Sequence, residues 1–228
     1  MIKRNTLTIQ NNLMKTEDEA IDIESKQYND LLRIYEIAMN QVIDTLSRVK
    51  NRINSIYGYS IIENITGRVK TKESINKKLI KKNIPHTYVA LVDNVNDIAG
   101  VRVICPIEVD IDSVVNIIKR LPNINVIEEK DYILNPKKSG YKAYHMIVET
   151  PVKINGETLV MKVEIQIRTS AMDFWAEMEH EIRYKSDKKI SKIDSKKLTW
   201  YATKLEKLQE KIIKLYRKQE NNNQTISY

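Results

Sequence analysis

Val160-Met-Lys-Val-Glu-Ile-Gln-Ile-Arg-Thr169 decides the fold. Polar and apolar residues alternate through it without a break. Lys162, Glu164, Gln166 and Arg168 fall on one side, and Met161, Val163, Ile165 and Ile167 on the other. A period of two is the pattern of a strand with one face in a core. The second face carries a carboxylate, an amide and a guanidinium, more chemistry than a solvated face requires. The strand is expected to be the floor of a polar site centred on Glu164.

Working outward, Asn155-Gly156 is a hairpin signal that joins this strand to a preceding one, Tyr141–Thr150. After it, 170–185 reads as a helix capped by Thr169 or Ser170, with Ala171, Trp175, Met178 and Ile182 as its buried stripe. Upstream, Val101–Cys105 is a further strand, and Asp97-Ile-Ala-Gly-Val-Arg102 puts a carboxylate at its mouth. A hard cation such as Mg²⁺ takes oxygen ligands of this kind, although a turn Asp beside a surface Arg accounts for the pattern equally well. Tyr88–Val92 reads as a strand, 110–121 as a helix stopped by Pro122, Asn125–Glu128 as a strand and 131–140 as a loop. Glu63-Asn-Ile-Thr-Gly-Arg-Val-Lys70 reads as a turn broken at Gly67, able to offer N–H groups and two cations to phosphate. The helix 73–83 carries Lys77, Lys78, Lys81 and Lys82, either as a phosphate-facing row or as a solvated one.

Both ends carry long seams. Tyr28, Leu32, Tyr35, Met39, Val42, Leu46, Val49, Ile53 and Ile56 recur at threes and fours up to Gly58, and Leu198, Tyr201, Leu205, Leu208, Ile212 and Leu215 do the same. Such seams pack within a chain or between copies. The expected organisation is a flexible segment over 1–26, a domain over 27–187 that includes its N-terminal helix, and a helical extension over 188–228 that oligomerises.

The 228 residues contain 38 Lys+Arg against 30 Asp+Glu, a net charge of +8, and 42% hydrophobic residues. The surplus suits a phosphate-rich partner or a lysine-covered surface. A lone Cys105 in an apolar run reads as a small hydrophobe in a reducing setting, and no segment has the length of a membrane span; a cytoplasmic protein is expected. Two carboxylates (Asp97, Glu164), several cations (Arg68, Lys70, Arg102, Lys137, Lys138, Arg168) and an aromatic on a glycine loop (Tyr141) fit phosphoryl-type transfer between nucleotides. The chain has no Walker-type P-loop, no Cys/His spacing for zinc and no nucleophile–His–Asp order.

Six motifs in order carry a specific resemblance: Thr66-Gly-Arg-Val-Lys70, Asp97-Ile-Ala-Gly-Val-Arg102, Asp131-Tyr-Ile, Lys138-Ser-Gly-Tyr-Lys-Ala-Tyr-His145, Glu164-Ile-Gln-Ile-Arg-Thr169 and Phe174-Trp-Ala-Glu-Met-Glu-His180. Over roughly 60–186 the chain resembles the RelA/SpoT-type (p)ppGpp synthetases, in particular their single-domain small members. The resemblance implies an α/β, nucleotidyltransferase-like mixed sheet flanked by helices, with long N- and C-terminal helical extensions. It implies a Mg²⁺-dependent GTP/GDP pyrophosphokinase of the stringent response, which moves the β,γ-pyrophosphate of ATP to the 3′-hydroxyl of GTP, GDP or GMP and releases AMP.

By the same match, Asp97 would ligate Mg²⁺ and Glu164 would act as general base or second metal ligand. Arg68 and Arg102 would sandwich adenine, and Lys70 and Lys78 would meet the ATP phosphates. On the acceptor side Tyr141 would stack on guanine, Lys130, Lys138 and His145 would hold phosphates, and Gln166 would position the nucleotide. Two positions depart from the family's habit: Asp173 stands where Asn is common and Lys130 where Arg is common, and both bear on acceptor choice. Asp173 can still accept from guanine N1–H and N2–H₂. The resemblance further implies synthesis without hydrolysis and a homotetramer built through terminal helices, with single-stranded RNA or an alarmone as a candidate regulator. The competing expectation is a non-catalytic nucleotide- or RNA-binding regulatory oligomer.

Overall fold

The computed structural model describes residues 20–185 and 192–225; most of the expected flexible segment, up to residue 19, lies outside them. Among the described residues six helices and five strands follow in the order α1 (Lys26–Tyr57), β1 (Asn64–Val69), α2 (Lys72–Lys82), α3 (Tyr88–Asn94), β2 (Ala99–Cys105), α4 (Glu108–Ile118), β3 (Asn125–Asp131), β4 (Tyr144–Ile154), β5 (Glu157–Thr169), α5 (Ser170–Lys185) and α6 (Lys192–Thr225). The strands form one mixed sheet in the order β1-β2-β5-β4-β3. Only β2 and β5 run parallel; the other three pairings are antiparallel. The expected α/β sheet with long terminal helices is what the chain forms.

Alternation places β5 at the centre of the sheet. Met161, Val163, Ile165 and Ile167 are buried, while Lys162, Glu164 and Gln166 are half-buried. Asn155 and Gly156 adopt φ 50° and 85°, the left-handed pair that a two-residue hairpin with matching twist requires. The seam of α1 closes one side of this core. Ser25 caps the helix by accepting from the Tyr28 N–H at 3.1 Å, and Tyr28, Tyr35, Met39, Val42 and Leu46 are buried, joined by Leu31, Ile34 and Ala38. Cys105 is fully buried, and burial pushes its thiol well above the usual range, as for an inert core residue.

Several local expectations change. Tyr88–Val92 is helical, because Thr87 caps it by accepting from the Ala90 N–H and Tyr88, Leu91 and Val92 then share the buried face. A short apolar run cannot by itself tell strand from buried helix. The Glu63–Lys70 stretch is no phosphate-binding turn; Asn64–Val69 is an edge strand. Gly67 is there for packing: a β-carbon would fall 2.6 Å from Ile43 Cδ1 and 2.7 Å from Met39 Sδ on α1. The strand expected from Tyr141 begins at Tyr144, leaving Tyr141 in a loop. On α5 the buried row is Ala171, Met172 and Trp175, while Met178 is exposed. No described helix is long and apolar enough to cross a membrane.

Candidate active site

Register builds the site. Paired residues on neighbouring strands point to the same face, so one polar residue on β5 recruits a row across the sheet. Glu164 pairs with Gly100, which pairs with Arg68; in the other direction it pairs with Ile147, which pairs with Glu128. Two residues on, Gln166 pairs with Arg102 and His145, and His145 with Lys130. These two adjacent rows form the floor of a cleft of about 1110 Å³, walled by Tyr132, Lys137, Lys138 and Tyr141 on one loop and by Glu177 on α5. A bulge on β3 completes them. The register slips between Val126 and Glu128, so Val126 stays against the core while Glu128 and Lys130 turn into the cleft.

At the cleft's centre Glu164 is held at both oxygens. His145 Nδ1 lies 3.0 Å from Oε1, and Gln166 Nε2 donates to Oε2 at 2.6 Å. With Glu164 ionised, the imidazole donates from Nδ1. Nε2 then accepts from the Tyr141 hydroxyl at 2.7 Å. Arg168 Nη2 donates both to that hydroxyl, at 2.7 Å, and to Gln166 Oε1, at 2.6 Å. Two chains of donors therefore leave one guanidinium nitrogen and rejoin on one carboxylate. Burial alone would raise the Glu164 carboxyl, but the His145 contact and the Gln166 amide outweigh it and hold it below the ordinary value. Asp97 opposes them with a smaller raising effect, as two acids facing one cavity must.

Asp97, just ahead of β2, is held by charge instead. Lys70 Nζ and Lys78 Nζ each lie 2.5 Å from one of its oxygens. Burial pushes this carboxyl up, and the two ammonium groups together bring it below its ordinary range. Arg102 donates from Nη1 to Asp173 and to Glu177, one helical turn apart on α5, at 3.2 Å and 2.9 Å. Arg168 Nη1 donates to the same Asp173 at 3.0 Å. Asp173 thus spends its charge joining two guanidiniums, which an Asn could not match as an ion pair.

Of the residues singled out in the sequence, Arg68, Asp97, Arg102, Lys130, Lys138, Tyr141, His145, Glu164 and Gln166 line the cleft. Lys70 and Lys78 stand behind Asp97, and Asp173 behind Arg102 and Arg168. Tyr141 is only 9% exposed, and its ring carries Lys137 Nζ at 4.5 Å and Arg168 Cζ at 5.1 Å from the centroid. Lys137 also lies 4.6 Å from the Tyr132 ring. Tyr132, Glu128 and Glu177 were not foreseen as site residues. Glu177 had a legible signal, its spacing of four from Asp173; Glu128 had none, because it enters through the bulge.

As a donor set, Asp97 and Glu164 present hard oxygen atoms to one cleft, which suits Mg²⁺ completed by substrate phosphates. Among the described residues no three His, Cys, Asp or Glu side chains cluster to hold a metal unaided.

A family described as the region found in RelA/SpoT proteins matches residues 67–189. The GTP pyrophosphokinase YwaC of Bacillus subtilis is 41% identical over 164 residues, 72% of this chain and 78% of that protein. The GTP pyrophosphokinase YjbM of the same organism is 37% identical over 164 residues, 72% of this chain and 76% of that one. Among solved structures, the small alarmone synthetase 1 of Bacillus subtilis bound to its product pppGpp superposes with a TM-score of 0.76 at 31% identity, covering 85% of this chain and 98% of its own.

Proposed function

The chain belongs to the RelA/SpoT family, and from that premise we propose that it is a GTP pyrophosphokinase. It moves the β,γ-pyrophosphate of ATP to the 3′-hydroxyl of a guanosine nucleotide, giving AMP and a (p)ppGpp-type alarmone. The observation that carries this reading is the pair of differently held carboxylates, Asp97 and Glu164, in a cleft rich in cations and aromatics.

Asp97 and Glu164 would hold Mg²⁺, whose chemistry when bound is to neutralise the transferring phosphates. Lys70 and Lys78 already gather beside Asp97 and would meet the donor phosphates, with Arg68 and Arg102 flanking adenine as stacking planes. For Arg102 this means sharing its guanidinium with Asp173 and Glu177. Glu164 receives the proton of the 3′-hydroxyl or directs it. Its lowered pKa makes it a weak base and a good anionic ligand, so positioning and charge carry most of the step.

On the acceptor side Tyr141 stacks on guanine once Lys137 leaves its ring, Gln166 positions the nucleotide, and Lys130, Lys138 and His145 bind its phosphates. Asp173 accepts from guanine with the lone pairs that Arg102 and Arg168 leave over, since a carboxylate accepts at about four sites. The synthetase domain spans 27–187 in a cytoplasmic protein, with 188–228 as an oligomerising extension. Exposed Trp200, Tyr201, Leu208, Ile212 and Leu215 on α6 support assembly into a homotetramer, whereas the α1 seam is spent on the core. An alarmone or single-stranded RNA would act as regulator.

The test is direct. Purified protein with ATP, GTP and Mg²⁺ yields AMP and a guanosine 3′-pyrophosphate, and Glu164→Gln and Asp97→Ala abolish the product. Full activity in both variants would overturn the assigned roles. Salt-sensitive RNA binding without product would favour the non-catalytic regulatory oligomer.

A further inference from the structure

The loop between β3 and β4 carries Tyr132, Lys137, Lys138 and Tyr141 into the cleft and contains neither helix nor strand. It turns at Gly140, at φ 82°, with Gly140 N–H donating to the Lys137 carbonyl at 2.9 Å and Lys137 N–H to the Tyr141 carbonyl at 3.1 Å. What fixes its outer side is α6. A β-carbon on Gly140 would lie 3.3 Å from Ala202 Cβ, 3.3 Å from Thr199 Cα and 3.5 Å from Trp175 Nε1. Thr199 donates its hydroxyl to the Lys138 carbonyl at 3.4 Å, and Lys142 Nζ pairs with Glu206 Oε2 at 2.7 Å.

Thr199, Ala202 and Glu206 recur at threes and fours, so they share one stripe of α6. Ala202 is 2% exposed and the Glu206 side chain 12%, both unusually buried for a helix whose outer row is open to solvent. Further along, Gln209 ties the helix to the body. Its Nε2 donates to the Pro106 carbonyl at 2.9 Å, and its Oε1 accepts from the Ala171 N–H at 2.8 Å. The helix is therefore pinned to the domain at Gln209 and props the loop with the preceding two turns. The donor-side acid makes its contacts elsewhere, with Lys70 and Lys78.

We propose that the Thr199–Ala202–Glu206 stripe of α6 is a positioning surface for the acceptor nucleotide, setting the loop that presents Tyr141, Lys137 and Lys138. The inference rests on the acceptor-side assignment made above. The loop's backbone–backbone hydrogen bonds run within itself and to Asp131, so none of them anchors its outer side, and a rigid wall there removes part of the cost of holding the loop in one place before the nucleotide arrives. The wall is best small at Ala202, because a β-carbon on Gly140 would already stand 3.3 Å from Ala202 Cβ, so added bulk on either side makes one of them shift. None of the three residues touches substrate; they act through the loop.

Two variants separate this from general scaffolding: Ala202→Leu, which pushes on Gly140, and Glu206→Ala, which removes the tether on Lys142 without adding bulk. Steady-state kinetics are expected to show KM for GTP and GDP raised about tenfold in Ala202→Leu and about threefold in Glu206→Ala, with KM for ATP within about twofold of wild type. Ala202→Ser, close in size, returns the acceptor KM to within about twofold. If Ala202→Leu does not fold, Glu206→Ala decides. Equal rises in both KM values, a fall in kcat alone, or no change in either variant would overturn the inference.

Calorimetric binding of GDP and of a non-hydrolysable ATP analogue keeps the two levels apart. If the wild type makes no product yet binds GDP, the activity reading fails, and the inference stands only if both variants weaken GDP and spare the analogue. A wild type that does not bind GDP overturns the inference.

Discussion

Asp97 and Glu164 stand in the two halves of the cleft, and they are held by different means. On the donor side Asp97 sits between Lys70 and Lys78, two point charges on flexible stems. On the acceptor side Glu164 is fixed by an imidazole and an amide that both lead back to a single nitrogen of Arg168. Ammonium groups can release one anion and turn to another, whereas a closed ring of planar groups fixes direction. The donor half is built to exchange partners with phosphate. The acceptor half is built to keep one oxygen aimed.

The largest expected effect breaks the comparison at its rigid end. Glu164→Gln keeps the shape and removes the charge, and kcat is expected to fall at least about a hundredfold, with KM for ATP little changed. A drop below about threefold would remove Glu164 from the chemistry. Next comes Asp97→Asn, which leaves two ammonium groups facing a neutral amide. It should cost about tenfold or more in kcat/KM and raise the Mg²⁺ concentration needed for half-maximal rate, with the acceptor KM within about twofold. An unchanged Mg²⁺ requirement would contradict a metal-holding role.

Arg168→Lys tests the ring itself. A lysine keeps the positive charge, but it cannot serve Gln166, Tyr141 and Asp173 at the fork's fixed angles. A loss of about tenfold in kcat is expected, smaller than for Glu164→Gln, together with an altered pH–rate profile as Glu164 loses its support. Wild-type rates in Arg168→Lys would mean that the ring is incidental.

The smallest effect concerns acid stability. Asp97 and Glu164 both have folded-state pKa values below their ordinary ones. The stability they contribute is present above the unfolded-state value, about 4, and is lost as pH falls through the lowered folded values. Thermal melts of the wild type should therefore decline below about pH 4. Asp97→Asn and Glu164→Gln, already less stable at neutral pH, should each flatten part of that decline.

Much of this arrangement was legible in the sequence, for physical reasons. A strict period of two can only be one half-buried strand, so Val160–Thr169 announced both core and site floor. Asn155-Gly156 fixed the hairpin and, with it, the pairing that sets His145 beside Gln166. Gly67 showed the limit of local reading. It was expected to serve a phosphate turn, but its reason is the approach of Met39 and Ile43 from a distant helix. Tyr88–Val92 is helical rather than extended because its five apolar residues carry no period of their own and Thr87 supplies a helix cap. Lys130 reaches the cleft through a bulge, a one-residue slip that no alternation reveals.

The terminal seams had the same pattern and different fates: α1 packs on the sheet, while Tyr201, Leu208, Ile212 and Leu215 of α6 stay exposed. A heptad row states that a helix has a partner, not where the partner is.

The central claim, that the exchangeable and the fixed carboxylate serve pyrophosphoryl transfer from ATP to a guanosine 3′-hydroxyl, is tested most directly by product analysis. Incubation with ATP, GTP and Mg²⁺ should give AMP and a guanosine 3′-pyrophosphate in equal amounts. Release of inorganic pyrophosphate in place of AMP, or no guanosine product at all, would contradict it.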